Sequence, residues 1–237
     1  MIDFPYSKIT ILFLRAPEKG KVKTRLAVSL DKTLVLELYK NFVADVIDAA
    51  TKVSNIALYC WPPEKKGAVL KWFEYKHPVF CQNGTDLGEK MANSFMEVFE
   101  SGYKKAVIVG TDIPDITAKI INDAYDKLST YDTVIGPSED GGYYLIGFRK
   151  DTFFKNCFKG IKWSTDSVFK ETIAILEKKH MNSYILPTLN DIDTMDDLID
   201  LCNRCKKGFR TGGKTEDNLK RIKMINNVRL ESCVGEV

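Results

Sequence analysis

The sequence predicts an α/β protein: one doubly wound, mostly parallel sheet with an antiparallel strand, and helices on both faces. Two observations carry this. Runs such as "ITILFL" (9–14) and "KAVIVG" (105–110) are continuously apolar rather than alternating, as in strands buried on both faces. Between such runs lie stretches whose apolar residues recur every three or four positions, so the order reads β-α-β-α and implies right-handed parallel crossovers. The close pair 133–136 and 143–148 is the place for the antiparallel strand.

In chain order, 9–14 is the first strand, and Val35, Leu38, Phe42, Val46 and Ala49 mark a helix over 33–50. "NIALYC" (55–60) is the second strand. "WPPEKKG" makes a turn into a short helix near 65–74, and "VFC" (79–81) is a short strand. Leu87, Met91, Phe95 and Phe99 recur every four residues and predict an amphipathic helix. After strand 105–110, Ile116, Ile120, Ala124 and Leu128 mark the next helix. Strands "TVIG" (133–136) and "YYLIGF" (143–148) are separated by "PSEDGG". Phe169, Thr172, Ile173 and Leu176 give a helix and "SYIL" (183–186) the last strand. Met195, Leu198, Ile199 and Cys202 give a closing helix on the i, i+3, i+4, i+7 pattern. The expected domain is 1–205. From Lys206 periodicity fades, and 206–237 reads as a mobile basic tail with a helical patch near 216–226, dispensable for folding.

The chain has 237 residues, 44% of them hydrophobic, enough for one sizeable core. Its formal net charge is +3, but residues 206–237 alone carry +4, which leaves the body near −1 and speaks against nucleic-acid binding. No signal-type segment and no run of membrane-spanning length is present, so the expectation is a soluble, cytoplasmic protein. Cys60 and Cys81 end strands and read as core residues. Cys202 and Cys205 form a single C-x-x-C that reads as helix packing, because neither a second pair nor more than two histidines exist to build a zinc site.

In open α/β sheets ligands bind beyond the carboxyl ends of the strands, so the polar residues there are the candidates. Four clusters qualify. "FLRAPEKGKVKTRL" (13–26) holds Arg15, Lys19, Lys21, Lys23 and Arg25 against Glu18; in an extended loop the last four cations would share one side. This stretch suits phosphates, although it lacks the glycines of a P-loop or a dinucleotide fingerprint, and a solvated lysine-rich loop is the competing explanation. "GTDIPD" (110–115) puts Asp112 at the tip of the strongest strand, where a carboxylate beside phosphates holds Mg²⁺, with an N-cap or turn residue as the competing explanation. "LNDIDTMDDL" (189–198) places Asp191 and Asp193 behind the last strand, with helix capping by Asp193 or Thr194 the competing explanation. In "GPSEDGGYYLIG" (136–147), Gly141 and Gly142 beside Glu139 and Asp140 make either a ligand wall or a hairpin turn, and Trp163, Ser164 and Thr165 of "IKWST" can add to that wall. Asp112 and Asp193 are expected to converge on one edge with a cation between them.

Together with "QNGTDLGEKM" (82–91), these stretches resemble the motifs of GT-A-like nucleotide-diphospho-sugar transferases, from about residue 8 to 203 and in the same order. They are similar to a family of bacterial and archaeal glycosyltransferases, some assigned to arsenosugar biosynthesis. More distant are 2-phospholactate guanylyltransferase and the molybdenum-cofactor nucleotidyltransferases. The resemblance implies a Rossmann-related three-layer sandwich. It implies that Arg15, Lys23 and Arg25 hold nucleotide phosphates, Lys23 to Leu26 matching a K-[ST]-R-L pattern. By the same match Gln82, Leu87 and Gly88 face the base and ribose. Asp112 and Asp193, with Asp191, would bind Mg²⁺ or Mn²⁺; Asp112, Lys23 and Arg25 would carry catalysis. Asp140, Gly141, Gly142, Tyr143, Trp163, Ser164 and Thr165 would line the acceptor or sugar site. Two departures stand out: Lys90 replaces a frequent arginine, and "TDIPD" lacks the Asp-x-Asp of many glycosyltransferases.

The expectation is therefore a Mg-dependent transferase that uses a nucleotide-sugar and a small-molecule acceptor, with a homodimer left open. One alternative is a nucleotidylyltransferase joining a nucleoside triphosphate to a small anionic acceptor with loss of pyrophosphate. Another is a non-catalytic nucleotide-binding protein, against which the paired acids argue.

Overall fold

The computed structural model describes residues 7–74, 76–207 and 213–230. Among the described residues, seven strands form one sheet in the order β3-β2-β1-β4-β6-β5-β7: β1 (Lys8–Arg15), β2 (Asn55–Trp61), β3 (Val79–Cys81), β4 (Lys105–Gly110), β5 (Thr133–Pro137), β6 (Tyr143–Arg149) and β7 (Ser183–Ile185). Only β6 runs against its neighbours, antiparallel to both β4 and β5; β7 is parallel to β5. The helices are α1 (Lys32–Thr51), α2 (Lys66–Trp72), α3 (Leu87–Glu100), α4 (Ala118–Lys127), α5 (Val168–Lys178), α6 (Met195–Lys206) and α7 (Gly213–Leu230).

The period-two alternation of strand side chains assigns the two faces. Leu12, Leu58, Val107, Val109 and Val134 join Val43, Val46, Ile121 and Tyr125 of α1 and α4. Ile11, Tyr59, Ile108, Ile135 and Ile146 join Met91, Phe95 and Phe99 of α3 and Val168 and Leu176 of α5. Both sets are buried, which is why these strands read as unbroken apolar runs rather than alternating ones. On the second face Phe95, Phe148, Phe153 and Phe158 interlock, with Phe95 and Phe148 edge to face at 5.3 Å.

A third cluster lies outside the sheet. Leu26, Val35, Leu38 and Phe42 pack with Ile192, Leu198 and Leu201, and with Leu219 of α7. Cys202 and Cys205 of α6 lie against it, in the packing role expected of them. The Asp45 carboxylate of α1 accepts hydrogen bonds from the Lys214 and Thr215 backbone N–H groups, which satisfies donors at the start of α7 from outside the helix. Arg221 pairs with Glu37 at 2.9 Å. This part of the basic C-terminal segment is therefore docked on α1, contrary to the expectation of a mobile tail. Residues 208–212 and 231–237, Cys233 among them, lie outside the described residues. Among the described residues, no helix is long and apolar enough to cross a membrane.

Candidate functional site

Since β4, β5 and β7 run the same way as β1, their carboxyl tips meet at one edge of the sheet. The segment after β7 is carried along that edge by backbone hydrogen bonds, Leu189 N–H to Pro137 O and then Ile192 N–H to Asp112 O at 3.2 Å. This last bond sets Asp193 beside Asp112. Thr194, not Asp193, caps α6, in a reciprocal capping box with Asp197. The Asp193 side chain is thereby left to reach the β4 tip.

What lies between the two carboxylates is Lys23. Its Nζ donates to Asp193 Oδ1 at 2.7 Å and sits 3.0 Å from Asp112 Oδ1. Both oxygens contact one nitrogen, so they lie within about 6 Å of each other. The Lys23 side chain is only 4% exposed, whereas the Asp112 and Asp193 side chains are 53% and 38% exposed. Burial alone would lower the lysine's pKa; the two carboxylates outweigh it and hold the ammonium above the ordinary lysine value. Lys23 adopts a left-handed backbone with φ 47°, a strained state for a residue with a Cβ.

The loop before it is not extended. Lys21 N–H bonds Glu18 O, and Gly20 turns with φ 75°, so period-two alternation does not set the direction of the cations. Lys19 bonds the Thr33 hydroxyl at the start of α1, away from the site. Lys21, Lys23 and Arg25 do reach a cleft of about 580 Å³, which Arg15, Trp61, Gln82, Leu87, Lys90 and Asp112 also line. The Tyr39 hydroxyl clasps the end of β1: it accepts from Arg15 N–H and donates to Arg15 O, each at 2.8 Å. The Gln82 carboxamide is buried, and its Nε2 donates to Tyr59 O at 2.9 Å. Lys90 stands 3.5 Å from the centroid of the Trp61 ring; burial, and then Arg15, lower its pKa. Neither Trp61 nor Tyr39 was a candidate from sequence, although Trp61 occupies the tip of β2 and the strand-end rule points to it.

A second cleft, of about 570 Å³, adjoins the first and shares Leu87, Gly110, Asp112 and Ser164 with it. Its other walls include Ser138, Asp140, Gly142, Tyr143, Trp163, Thr165, Asp166 and Asp191. Asp140 Oδ1 accepts from Gly142 N–H at 2.9 Å and from the Ser138 hydroxyl, which fixes the hairpin turn. Burial and then the Asp140 carboxylate push Asp191 up to about 6.

Two predicted site residues are structural. Gly88 is buried, and a Cβ there would meet Trp163 Cζ2 at 2.7 Å and Phe158 O at 2.9 Å. It lets the start of α3 close on the segment that carries Trp163. Gly141 has φ 87°, and a Cβ would lie 2.1 Å from Asp166 O. It shapes the second cleft through its backbone.

Among the described residues, no group of three or more His, Cys, Asp or Glu side chains is arranged to hold a metal ion. The donors on offer are two convergent, half-exposed carboxylates. That set fits Mg²⁺ or Mn²⁺, ions that take one or two carboxylates and draw the remaining ligands from phosphate and water.

Comparison with known proteins gives concordant results. The family described as uncharacterized proteins conserved in bacteria (DUF2064) matches residues 46–165. The 2-phospho-L-lactate guanylyltransferase of Methanocaldococcus jannaschii is 23% identical over 184 residues, 76% of each chain. A crystal structure from Desulfovibrio desulfuricans G20, provisionally assigned as a nucleotide-diphospho-sugar transferase, superposes with a TM-score of 0.84 at 32% identity, covering 95% of this chain and 97% of that one. Rv0371c of Mycobacterium tuberculosis H37Rv, determined in complex with manganese, shares the fold alone: TM-score 0.52 and 16% identity over 82% of this chain and 98% of that one.

Proposed function

The chain belongs to the DUF2064 family, and from that premise we propose that it is a transferase acting on a nucleotide-diphospho-sugar, with a divalent metal ion held at Asp112 and Asp193. One observation carries the choice of substrate: the two adjoining clefts have opposite charge. The first is lined by Arg15, Lys21, Lys23, Arg25 and Lys90 against Asp193; the second by Asp140, Asp166 and Asp191, with no lysine or arginine among its described lining residues; they meet at Asp112. A diphosphate belongs in the first, where exposed Arg15 and Arg25 can make charge-assisted bonds to it. The second repels phosphate and suits hydroxyl groups, which donate to carboxylates; a sugar offers many. Trp163 adds an apolar wall for a sugar face.

A metal ion at the two carboxylates would neutralise charge on the departing diphosphate. The chain itself supplies the rest. Arg15, Arg25 and Lys90 orient the phosphates, and the Ser138–Gly142 turn and Ser164 hold the transferring group against Asp112. Support comes from the resemblance to the nucleotide-diphospho-sugar transferase structure. The guanylyltransferase relative favours a second reading, transfer of a nucleotidyl group from a triphosphate. In that case the acidic second cleft argues for a neutral or cationic acceptor rather than an anionic one.

The test is a thermal-shift and calorimetric panel of nucleoside triphosphates, nucleoside diphosphates and nucleotide-sugars, each with and without Mg²⁺ or Mn²⁺. The proposal expects a nucleotide-sugar to bind more tightly than its parent diphosphate in the presence of metal. Equal binding of the two would refute the sugar assignment. Pyrophosphate release from a triphosphate would transfer the conclusion to the second reading.

A further inference from the structure

Resting on the metal reading above, we propose that Lys23 is a built-in counter-cation for the carboxylate pair, excluding the divalent ion until nucleotide phosphate draws the ammonium away. The side chain contacts both candidate ligands at once, at 2.7 and 3.0 Å. It occupies the place a shared cation would take. Without it, two carboxylates this close would repel and splay.

Charge accounting gives the direction of the coupling. Asp112, Asp193 and Lys23 together carry −1. A divalent ion placed between the carboxylates neutralises them and leaves the Lys23 ammonium without a partner. A buried ammonium with no partner is strongly disfavoured, and this one is 4% exposed where it stands. Metal alone is therefore penalised. Nucleotide phosphate arriving in the adjoining cationic cleft supplies the missing anion, and lysine's flexible four-carbon stem lets its ammonium turn to it. The strained backbone of Lys23, φ 47°, is consistent with a loop held in place by this trio rather than by its own preference. Lys23 is thus a positioning residue that makes metal and nucleotide enter together.

The test is calorimetric titration of Mn²⁺ into the full-length protein without nucleotide, for wild type, Lys23→Met and Lys23→Arg, alongside melting temperatures with and without Mn²⁺. Lys23→Met should bind Mn²⁺ more tightly than wild type by roughly 5- to 150-fold, the usual span of coupling between two linked sites. Its melting temperature should rise on adding Mn²⁺, a readout that holds even if the variant starts less stable. Lys23→Arg should behave like wild type, and Lys23→Met/Asp193→Asn should lose the gain. Equal Mn²⁺ affinity in wild type and Lys23→Met overturns the proposal. A parallel titration with guanosine, cytidine and uridine diphosphates present separates the two levels. Wild type that binds Mn²⁺ with a diphosphate, while Lys23→Met alone does not, removes the counter-cation role only. No Mn²⁺ bound in any arm removes the metal reading and this inference together.

Discussion

Replacing Asp191 by asparagine should make the ligand-free protein more stable at neutral pH. Asp191 lies partly buried in the second cleft. Burial, and then the Asp140 carboxylate, raise its carboxyl from 3.8 to about 6. The folded state thus holds this proton more tightly than the unfolded chain does. The stability it contributes is full below pH 4 and is lost as pH rises through about 6, the reverse of a salt-bridged aspartate. A shift of two units is worth at most about 3 kcal/mol, and residual solvent access reduces this to about 1–2 kcal/mol. Asparagine has nearly the same shape and no charge to bury. Asp191→Asn should therefore melt about 2–8 °C higher than wild type at pH 7.5 in EDTA, by the usual conversion for a chain of this size. By pH 4.5 wild-type Asp191 is protonated in the fold, and the gain should shrink to about half or less. The assay is urea or thermal denaturation at the two pH values. A gain of equal size at both, or a loss at pH 7.5, would refute the account of a carboxylate kept under electrostatic stress in this cleft.

The remaining predictions concern the two clefts and α7. Asp112→Asn should nearly abolish turnover while circular dichroism and melting stay close to wild type; retained turnover would remove Asp112 from the chemistry. Arg25→Ala should weaken nucleotide binding by roughly 1–3 kcal/mol, as expected for charge-assisted hydrogen bonds; unchanged affinity by calorimetry would leave Arg25 a solvated surface residue. Gly141→Ala should cost roughly 2–5 kcal/mol of stability, because it combines a left-handed φ of 87° with a clash at Asp166 O; a cost under 1 kcal/mol in urea denaturation would contradict that geometry. Leu219 is 1% exposed, so Leu219→Ala should cost about 2–5 kcal/mol, and a chain ending at Lys207 should melt well below the full one. Equal melting of the shortened chain would restore the dispensable tail that the sequence suggested.

The strands were legible because burial on both faces writes itself into the chain as unbroken apolar runs. Each strand lies within two residues of its predicted limits, even three-residue β3. The helical patch read near 216–226 lies inside α7, but the docking of that helix on α1 was hidden, for the opposite reason. Among its described residues it buries one large apolar side chain, Leu219, with Thr215 and Asn218, and polar residues on a helix face give no apolar period. The cationic loop was misjudged because alternation in sequence implies a common face only for extended backbone, and the turns at Gly20 and Lys23 break that condition. Gly88 was placed at the nucleotide from motif position alone; what its neighbours add is a close approach of Trp163 and Phe158 that leaves no room for a Cβ.

The carboxylate pair shows how far strand-end reasoning reaches. Asp112 and Asp193 are 81 positions apart in sequence, yet the rule that parallel strands end at one edge put them together, and the bond from Ile192 N–H to Asp112 O is the local means. The same rule says only that a cation must lie between them. It does not choose among a metal ion, an arginine or a lysine, because that choice depends on the reach and rotamer of a side chain 170 positions from Asp193. In sequence Lys23 is one of five cations in a short stretch; the K-[ST]-R-L match singles it out for phosphate, and nothing local points to the two carboxylates. Burial does: Lys21 has a side chain 72% exposed, while Lys23 is at 4%. An ammonium buried to that degree needs an anionic partner wherever it turns. A divalent ion entering between Asp112 and Asp193 would therefore have to displace an existing ion pair rather than fill an open place, and its affinity would be set by where the displaced charge can go.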